Sequence, residues 1–350
     1  MDLIIFIVAL SVLVLVHEWG HFIAARKTGV KVEEFGLGLP PRMIGKKIRG
    51  TIYSLNWLPI GGFCKLYGED GDGKGGEAFN HKKPWQKMII VLGGVLMNMI
   101  LAIVVFSVVY TILGVPKETD KVKIVGVTDG SPAAIAGLKE GDWIQRVEGT
   151  EIKAPNQLTD EVSKYKGEKV NLEIVGEDNN IGKMEVEVRE NPPEGEGSMG
   201  ISISNTEMIK VPWYRFYEGI GAGFKEAYYW GKIIANGVFE MVGGLFTGHI
   251  PSDVSGPIGM YEATSAINQN QGILAVIHFF GIVSVNLAIV NVLPFPALDG
   301  GRIIFVIYEM ITRKKVNQKV EAIVNNLGMI ILLTLIVLIT VGDVSRIIGK

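Results

Sequence analysis

One cysteine, Cys64, is all the thiol this 350-residue chain carries, which excludes an internal disulfide and a metal site built on cysteines. Histidine is scarce too, five in all, so an imidazole site has few residues to draw on. Neither sign of charge dominates: 34 Lys and Arg against 36 Asp and Glu leave a formal net charge of −2. Nothing in that balance points to nucleic acid, and no nucleic-acid partner is expected. Apolar residues, by contrast, are plentiful. They make up 48% of the chain, yet 20% of it is charged, and the mean hydropathy is +0.32. Such a mixture means membrane spans alternating with wet segments.

Four apolar stretches, at residues 3–25, 88–113, 273–292 and 327–341, fit spans of a bilayer that takes roughly 20 residues to cross. Lys and Arg crowd the segments between spans one and two and between spans three and four, with Arg26, Lys27, Lys46, Lys47, Lys82 and Lys83 in the first and Arg313, Lys314 and Lys315 in the second. Positive loops stay in the cytoplasm. The insert at 116–270 and both termini are therefore expected outside the cytoplasmic membrane of a bacterium. No small-residue cleavage site follows the first span, so it reads as a span rather than a signal peptide.

That first span contains His17-Glu18-Trp19-Gly20-His21. On a helix, residues four apart share a face, so His17 and His21 can present ring nitrogens to one Zn²⁺ while Glu18 leans over the same site. A catalytic zinc keeps three protein ligands and one open position, and acidifies the water bound there for a neighbouring base. Glu18 is placed for that task. Ionisable groups at membrane depth cost a few kcal/mol each, which argues for a functional site over a satisfied polar face. Span three ends in Asn291-Val292-Leu293-Pro294-Phe295-Pro296-Ala297-Leu298-Asp299-Gly300. The prolines break the helix and the glycines free the backbone again, so that Asp299, on the same side of the bilayer as His21, can complete the zinc site.

Between these motifs the chain is punctuated by turns. Residues 30–70 hold β-formers in three runs, at 31–36, 51–58 and 63–67, and read as a small antiparallel sheet near the bilayer whose edge can receive an extended peptide. Gly93 and Gly94 permit close helix contact in span two, and Asn98 is a polar group needing a partner there. Ser131-Pro132-Ala133-Ala134-Ile135-Ala136-Gly137 followed by Gly141-Asp142 resembles the signature of bacterial PDZ domains. That resemblance implies a groove-lining helix at 156–166 and a loop at Ser198-Met199-Gly200-Ile201 whose amides bind a peptide C-terminus. Residues 230–246 are too polar for a span and read as an amphipathic interfacial helix. His81, His249 and His278 are given no place in the metal site. The fold class is thus a multi-pass α-helical membrane protein of about four transmembrane helices, with a membrane-associated β-sheet and an inserted extracytoplasmic PDZ domain. Its segments are 1–29 (first span and metal motif), 30–70 (sheet), 71–115 (linker and second span), 116–206 (PDZ insert), 207–272 (interfacial helix and loop), 273–312 (third span and Asp-Gly motif) and 313–350 (fourth span).

Taken together, the His-Glu-x-x-His motif, Gly94-x-x-x-Asn98, one PDZ insert, Ser255-Gly256-Pro257-Ile258-Gly259 and Asn291-x-x-Pro294-x-Pro296-x-x-Asp299-Gly300 resemble the site-2 protease family of intramembrane zinc metalloproteases, in its bacterial, PDZ-bearing RseP-like branch. The resemblance covers almost the whole chain, although the type member of that branch has two PDZ modules. It implies His17, His21 and Asp299 as ligands, Glu18 as base, and Asn98 and Asn291 as residues that position the substrate backbone. It implies single-span membrane proteins as substrates, anti-sigma factors or remnant signal peptides among them. A different class, a non-catalytic membrane adaptor with a structural zinc and a peptide-binding PDZ module, requires a fourth protein ligand on the metal.

Overall fold

The computed structural model describes all residues except 70–72, 177–179, 194, 248–255 and 349–350. In chain order the elements are α1 (Asp2–Lys27), β1 (Val32–Ile48), β2 (Thr51–Leu66) and α2 (Pro84–Leu113), then β3 (Val115–Val127), α3 (Pro132–Ala136), β4 (Trp143–Val147), β5 (Thr150–Glu151), α4 (Pro155–Val162), β6 (Lys169–Val175), β7 (Ile181–Glu187) and β8 (Ile201–Ile209), and last α5 (Phe216–Thr247), α6 (Pro257–Gln271), α7 (Ile273–Val292), α8 (Asp299–Thr312) and α9 (Gln318–Ile348). They form two compact units, one of residues 1–112 with 212–350 and one of residues 113–211.

In the first unit, four helices among the described residues have the length and apolarity to cross a membrane: α1, α2, α7 and most of α9. Each is rich in apolar residues and has no proline past its first position; at 1.5 Å per residue, α1 alone extends about 39 Å. Two apolar clusters fix the arrangement. Phe6 and Leu13 of α1 pack with Val276, Phe280 and Val283 of α7, and Ala24 and Ala25 of α1 pack with Val32, Leu66 and with Ile90 and Val91 of α2. The C-terminal end of α1 is closed by Lys82 Nζ, which donates to the Thr28 carbonyl at 2.8 Å, a cation where the helix dipole favours one.

The sheet is wider than the three sequence runs indicate. β1 and β2 pair antiparallel but bend, so that Phe35 lies between Cys64 and Tyr53, Gly36 between Phe63 and Ser54, and Leu37 between Gly62 and Leu55. Residues 42–48, which belong to none of those runs, form a further strand segment that pairs back onto 51–56. Among the described residues, 62–65 therefore carry a strand partner on one side only. The third span, expected over 273–292 with a break at the prolines, is α7, and Asp299 is the first residue of the helix that follows, α8. The interfacial helix is longer than expected, Phe216–Thr247, and the loop that should follow contains α6 instead. His249 and Ser255 lie outside the described residues.

The second unit is a six-stranded sheet of order β7-β6-β4-β3-β8, with β5 paired to β4. Alternating residues of these strands bury one face: Val122, Ile124, Ile144, Val147, Val170 and Leu172 join Leu158 and Val162 of α4 in a single core. The short α3 starts on Ser131, whose Oγ accepts from Ala134 N at 3.2 Å, and stops at Gly137 with φ 91°, which spares a side chain the left-handed conformation. Asp142 then caps the following turn by accepting from Lys139 N at 2.9 Å.

Candidate metal centre

The His17 and His21 rings project from one face of α1 one turn apart, as their spacing requires. α8 brings Asp299 to them. Its Oδ2 lies 3.2 Å from His17 Nε2 and 3.3 Å from His21 Nε2, and the two Nε2 atoms are 3.2 Å apart. Among the described residues these three side chains form the one His/Cys/Asp/Glu cluster with metal-ligand spacing. Three electron-pair donors facing one another repel unless a cation sits among them. Ligand atoms bound to a tetrahedral zinc are about 3.3–3.6 Å from each other, the edge of a tetrahedron with bonds of about 2.0–2.2 Å. The three edges of the triangle, 3.2, 3.2 and 3.3 Å, lie within about 0.1 Å of the short end of that range. Asp299 Oδ2 is moreover buried with no hydrogen-bond partner, an unmet demand that a cation would satisfy. The residues therefore fit zinc.

Close backbone packing makes this convergence possible. α1 and α2 touch at Gly20 and Gly93, where an added Cβ on Gly20 would run into the Gly93 carbonyl. One residue on, a Cβ on Gly94 would stand 2.6 Å from both His17 Cε1 and His21 Nε2. The backbone of α2 thus approaches the two rings so closely that only glycine fits. His21 Nδ1 donates to the Ile90 carbonyl at 2.8 Å, which leaves its Nε2 lone pair for a metal. At the other end of the site, Gly300 and Gly301 let the start of α8 press against the carbonyls of Leu293 and Phe295. Their use is this contact rather than a flexible hinge. Ala297, in the left-handed region at φ 76°, turns the chain into α8, a strain of about 1–3 kcal/mol that is common beside reactive sites. Arg302, one turn after Asp299, pairs with Glu69, and Lys87 Nζ pairs with Glu309 Oε2 at 2.7 Å, so that α8 is tied both to the end of the sheet and to α2.

A cavity of about 410 Å³ opens on the centre, lined among others by His17, Glu18, His21, Phe63, Cys64, Asn98, Asn291, Asp299 and Arg302. A methyl group on Gly62 would touch Glu18 Cγ at 3.7 Å, so the edge segment 62–66 passes directly beside the carboxylate. Burial, with the carboxylates of Glu18 and Glu69 near it, pushes the Cys64 thiol above its ordinary pKa and keeps it neutral. Of the positions the sequence singled out, Asn291 lines the cavity and Asn98 is fully buried with its amide at His17. His278 lies away from the centre and pairs with Glu226 of α5 at 3.3 Å. In the second unit, the Met199 side chain is part of the core. The Gly200 N–H already donates to Gly197 O at 3.0 Å, and Ile201 pairs with Val127. Sequence reading missed the Ile90 carbonyl and the Glu69–Arg302 pair. No local signal marks either, since each joins elements far apart in the chain.

Residues 5–335 match the sequence profile of Peptidase family M50. The chain belongs to that family. It is thereby a metalloprotease of the site-2 type. Its M50 relatives include a Clostridium acetobutylicum protein with a provisional zinc metalloprotease name, 33% identical over 98% of this chain and 97% of the relative. A Clostridium perfringens protein named in the same way is 32% identical over 98% of each. The zinc metalloprotease RasP of Shouchella clausii is 29% identical over 98% of this chain and 99% of its own. Among solved structures, the PDZ domain of an SdrC-like protein from Listeria innocua overlaps 26% of this chain and all of its own, at 23% identity and a TM-score of 0.22.

Proposed function

We propose that this M50 protein is an intramembrane endopeptidase that uses one zinc ion, held by His17, His21 and Asp299, to hydrolyse peptide bonds within or near the span of membrane-anchored substrates. The observation that carries the reading is the triangle of donor atoms with edges of 3.2, 3.2 and 3.3 Å. When bound, zinc supplies a Lewis acid that polarises the scissile carbonyl and makes water acidic enough to lose a proton near neutral pH. Glu18 sits on the cavity wall one residue from His17. As base it takes that proton, and as acid it returns it to the leaving amine.

A substrate helix hides its carbonyls in its own hydrogen bonds, and must be drawn out before it can be cut. The open side of residues 62–65, which run beside Glu18, offers main-chain partners to such an extended strand, and Asn291, which lines the same cavity, adds a side-chain amide. In the second unit, β8 ends the sheet among the described residues, and its outer edge is the place for a peptide there. The Lys and Arg distribution sets the metal centre toward the cytoplasmic side of a bacterial membrane, with residues 116–206 and both termini outside.

The test is Glu18→Gln in the purified full-length protein with a single-span membrane substrate. Zinc content should equal wild type while cleavage falls by about 10²–10⁴, the usual worth of a general acid–base. Cleavage at the wild-type rate would refute the assignment.

A further inference from the structure

Asn98 is 0% exposed. Its Nδ2 is placed 3.3 Å from His17 Nδ1, while its Oδ1 is buried without a hydrogen-bond partner. Its backbone is pinned separately, since the Asn98 carbonyl accepts from Ser284 Oγ at 2.7 Å. On the far side of the same imidazole, His17 Nε2 faces His21 Nε2 and Asp299 Oδ2 at 3.2 Å each. A neutral imidazole that offers its Nε2 lone pair to a metal carries its hydrogen on Nδ1. That N–H would meet an amide NH₂, donor against donor. The two ends of an amide are nearly the same size, and which one points where follows from the hydrogen-bond network. With the Asn98 amide turned end for end, His17 Nδ1–H donates to Oδ1, and the orphaned oxygen gains its partner.

We infer that Asn98 is a positioning residue: its Oδ1 accepts the His17 Nδ1–H and so fixes the tautomer and ring plane in which His17 presents Nε2 to the metal. The Ile90 carbonyl does the same for His21. Ile90, Gly94 and Asn98 are each four residues apart and so lie along one face of α2. The first holds one ring, the last holds the other, and the glycine between them makes room for both. The inference rests on the metal reading of the centre, and it gives Asn98 a task that does not require contact with substrate.

The experiment compares wild type, Asn98→Leu and Asn98→Asp as purified full-length proteins. Zinc affinity is measured by chelator competition, and kcat and KM are measured at saturating zinc on one membrane-anchored substrate. Leucine has similar size and no acceptor, and should weaken zinc binding about 10–100-fold, the usual loss when an outer partner of a metal-bound histidine is removed. Aspartate keeps the acceptor oxygen and should bind zinc as tightly as wild type. KM should stay unchanged in both. Wild-type zinc affinity in Asn98→Leu, with KM raised, would overturn the inference in favour of substrate contact; equal loss in both variants would overturn it in favour of packing. If Asn98→Leu does not fold, Asn98→Ala removes the acceptor without adding bulk and takes its place. Wild-type protein that binds no zinc would defeat the metal reading itself, a result distinct from the others.

Discussion

Replacing Gly94 by alanine tests the geometry of the centre without touching a ligand. The added methyl would stand 2.6 Å from His17 Cε1 and from His21 Nε2. Carbon atoms in contact sit about 3.5–4.0 Å apart, so roughly 1 Å of overlap must be relieved by moving the rings or by parting α1 from α2. Neither movement is small on the scale of a metal site, where ligand distances hold to about 0.2 Å. Parting the helices also meets the contact of Gly20 with Gly93, which leaves the rings as the softer element. Overpacking of this size costs about 1–3 kcal/mol when spread over a core; concentrated on two ligands, 3 kcal/mol is about 100-fold in binding. Zinc affinity of Gly94→Ala should therefore fall by about 10–100-fold, with helix content by circular dichroism unchanged. Titration of the purified protein against a competing chelator reads the affinity directly. Wild-type affinity in the alanine variant would show that α2 does not lie against the rings, and the account of the centre would fail with it.

Asp299→Asn keeps the shape of the side chain and removes its charge, and should lower zinc affinity by more than the roughly 100-fold upper figure for outer-shell changes; unchanged metal stoichiometry at limiting zinc would strike Asp299 from the ligands. Because burial keeps Cys64 protonated and the thiolate is the reactive form, iodoacetamide at neutral pH should label native protein far more slowly than denatured protein. Labelling of the native protein at the rate of a free thiol would contradict the placing of the half-buried Cys64 thiol beside the carboxylates of Glu18 and Glu69.

The parts of the molecule that were legible in the sequence are those whose signal is local. The His-Glu-x-x-His spacing is a property of one helix, and the apolar runs of α1, α2 and α7 announce themselves by length. Asp299 stood out because two prolines and two glycines mark a break in a membrane helix, an expensive event that invites a functional reason. What stayed hidden depends on contacts between distant segments. The pairing of residues 42–48 with 51–56 follows a bend at prolines that sequence reads as an end. α6 follows a Gly-Pro pair and has little apolar periodicity, so it passes for loop. The second partners of the histidines are a main-chain carbonyl, to which residue type is blind, and an asparagine whose spacing from Gly94 shows that it faces the same way but not what it touches.

The helix that sequence reading passed over also bears on the first and last helices of the chain. Ser265 and Asn268 of α6 donate to the Asp2 carboxylate at 2.8 and 3.0 Å, and Asp343 of α9 accepts from the amides of Gly256 and Gly259 at 2.9 and 3.0 Å. α6 is thus a clasp holding α1 by its tip and α9 near its far end. From Asp2 to His17 the rod of α1 measures about 22 Å at 1.5 Å per residue. The imidazoles thus stand some four turns of helix from the point at which the clasp holds α1.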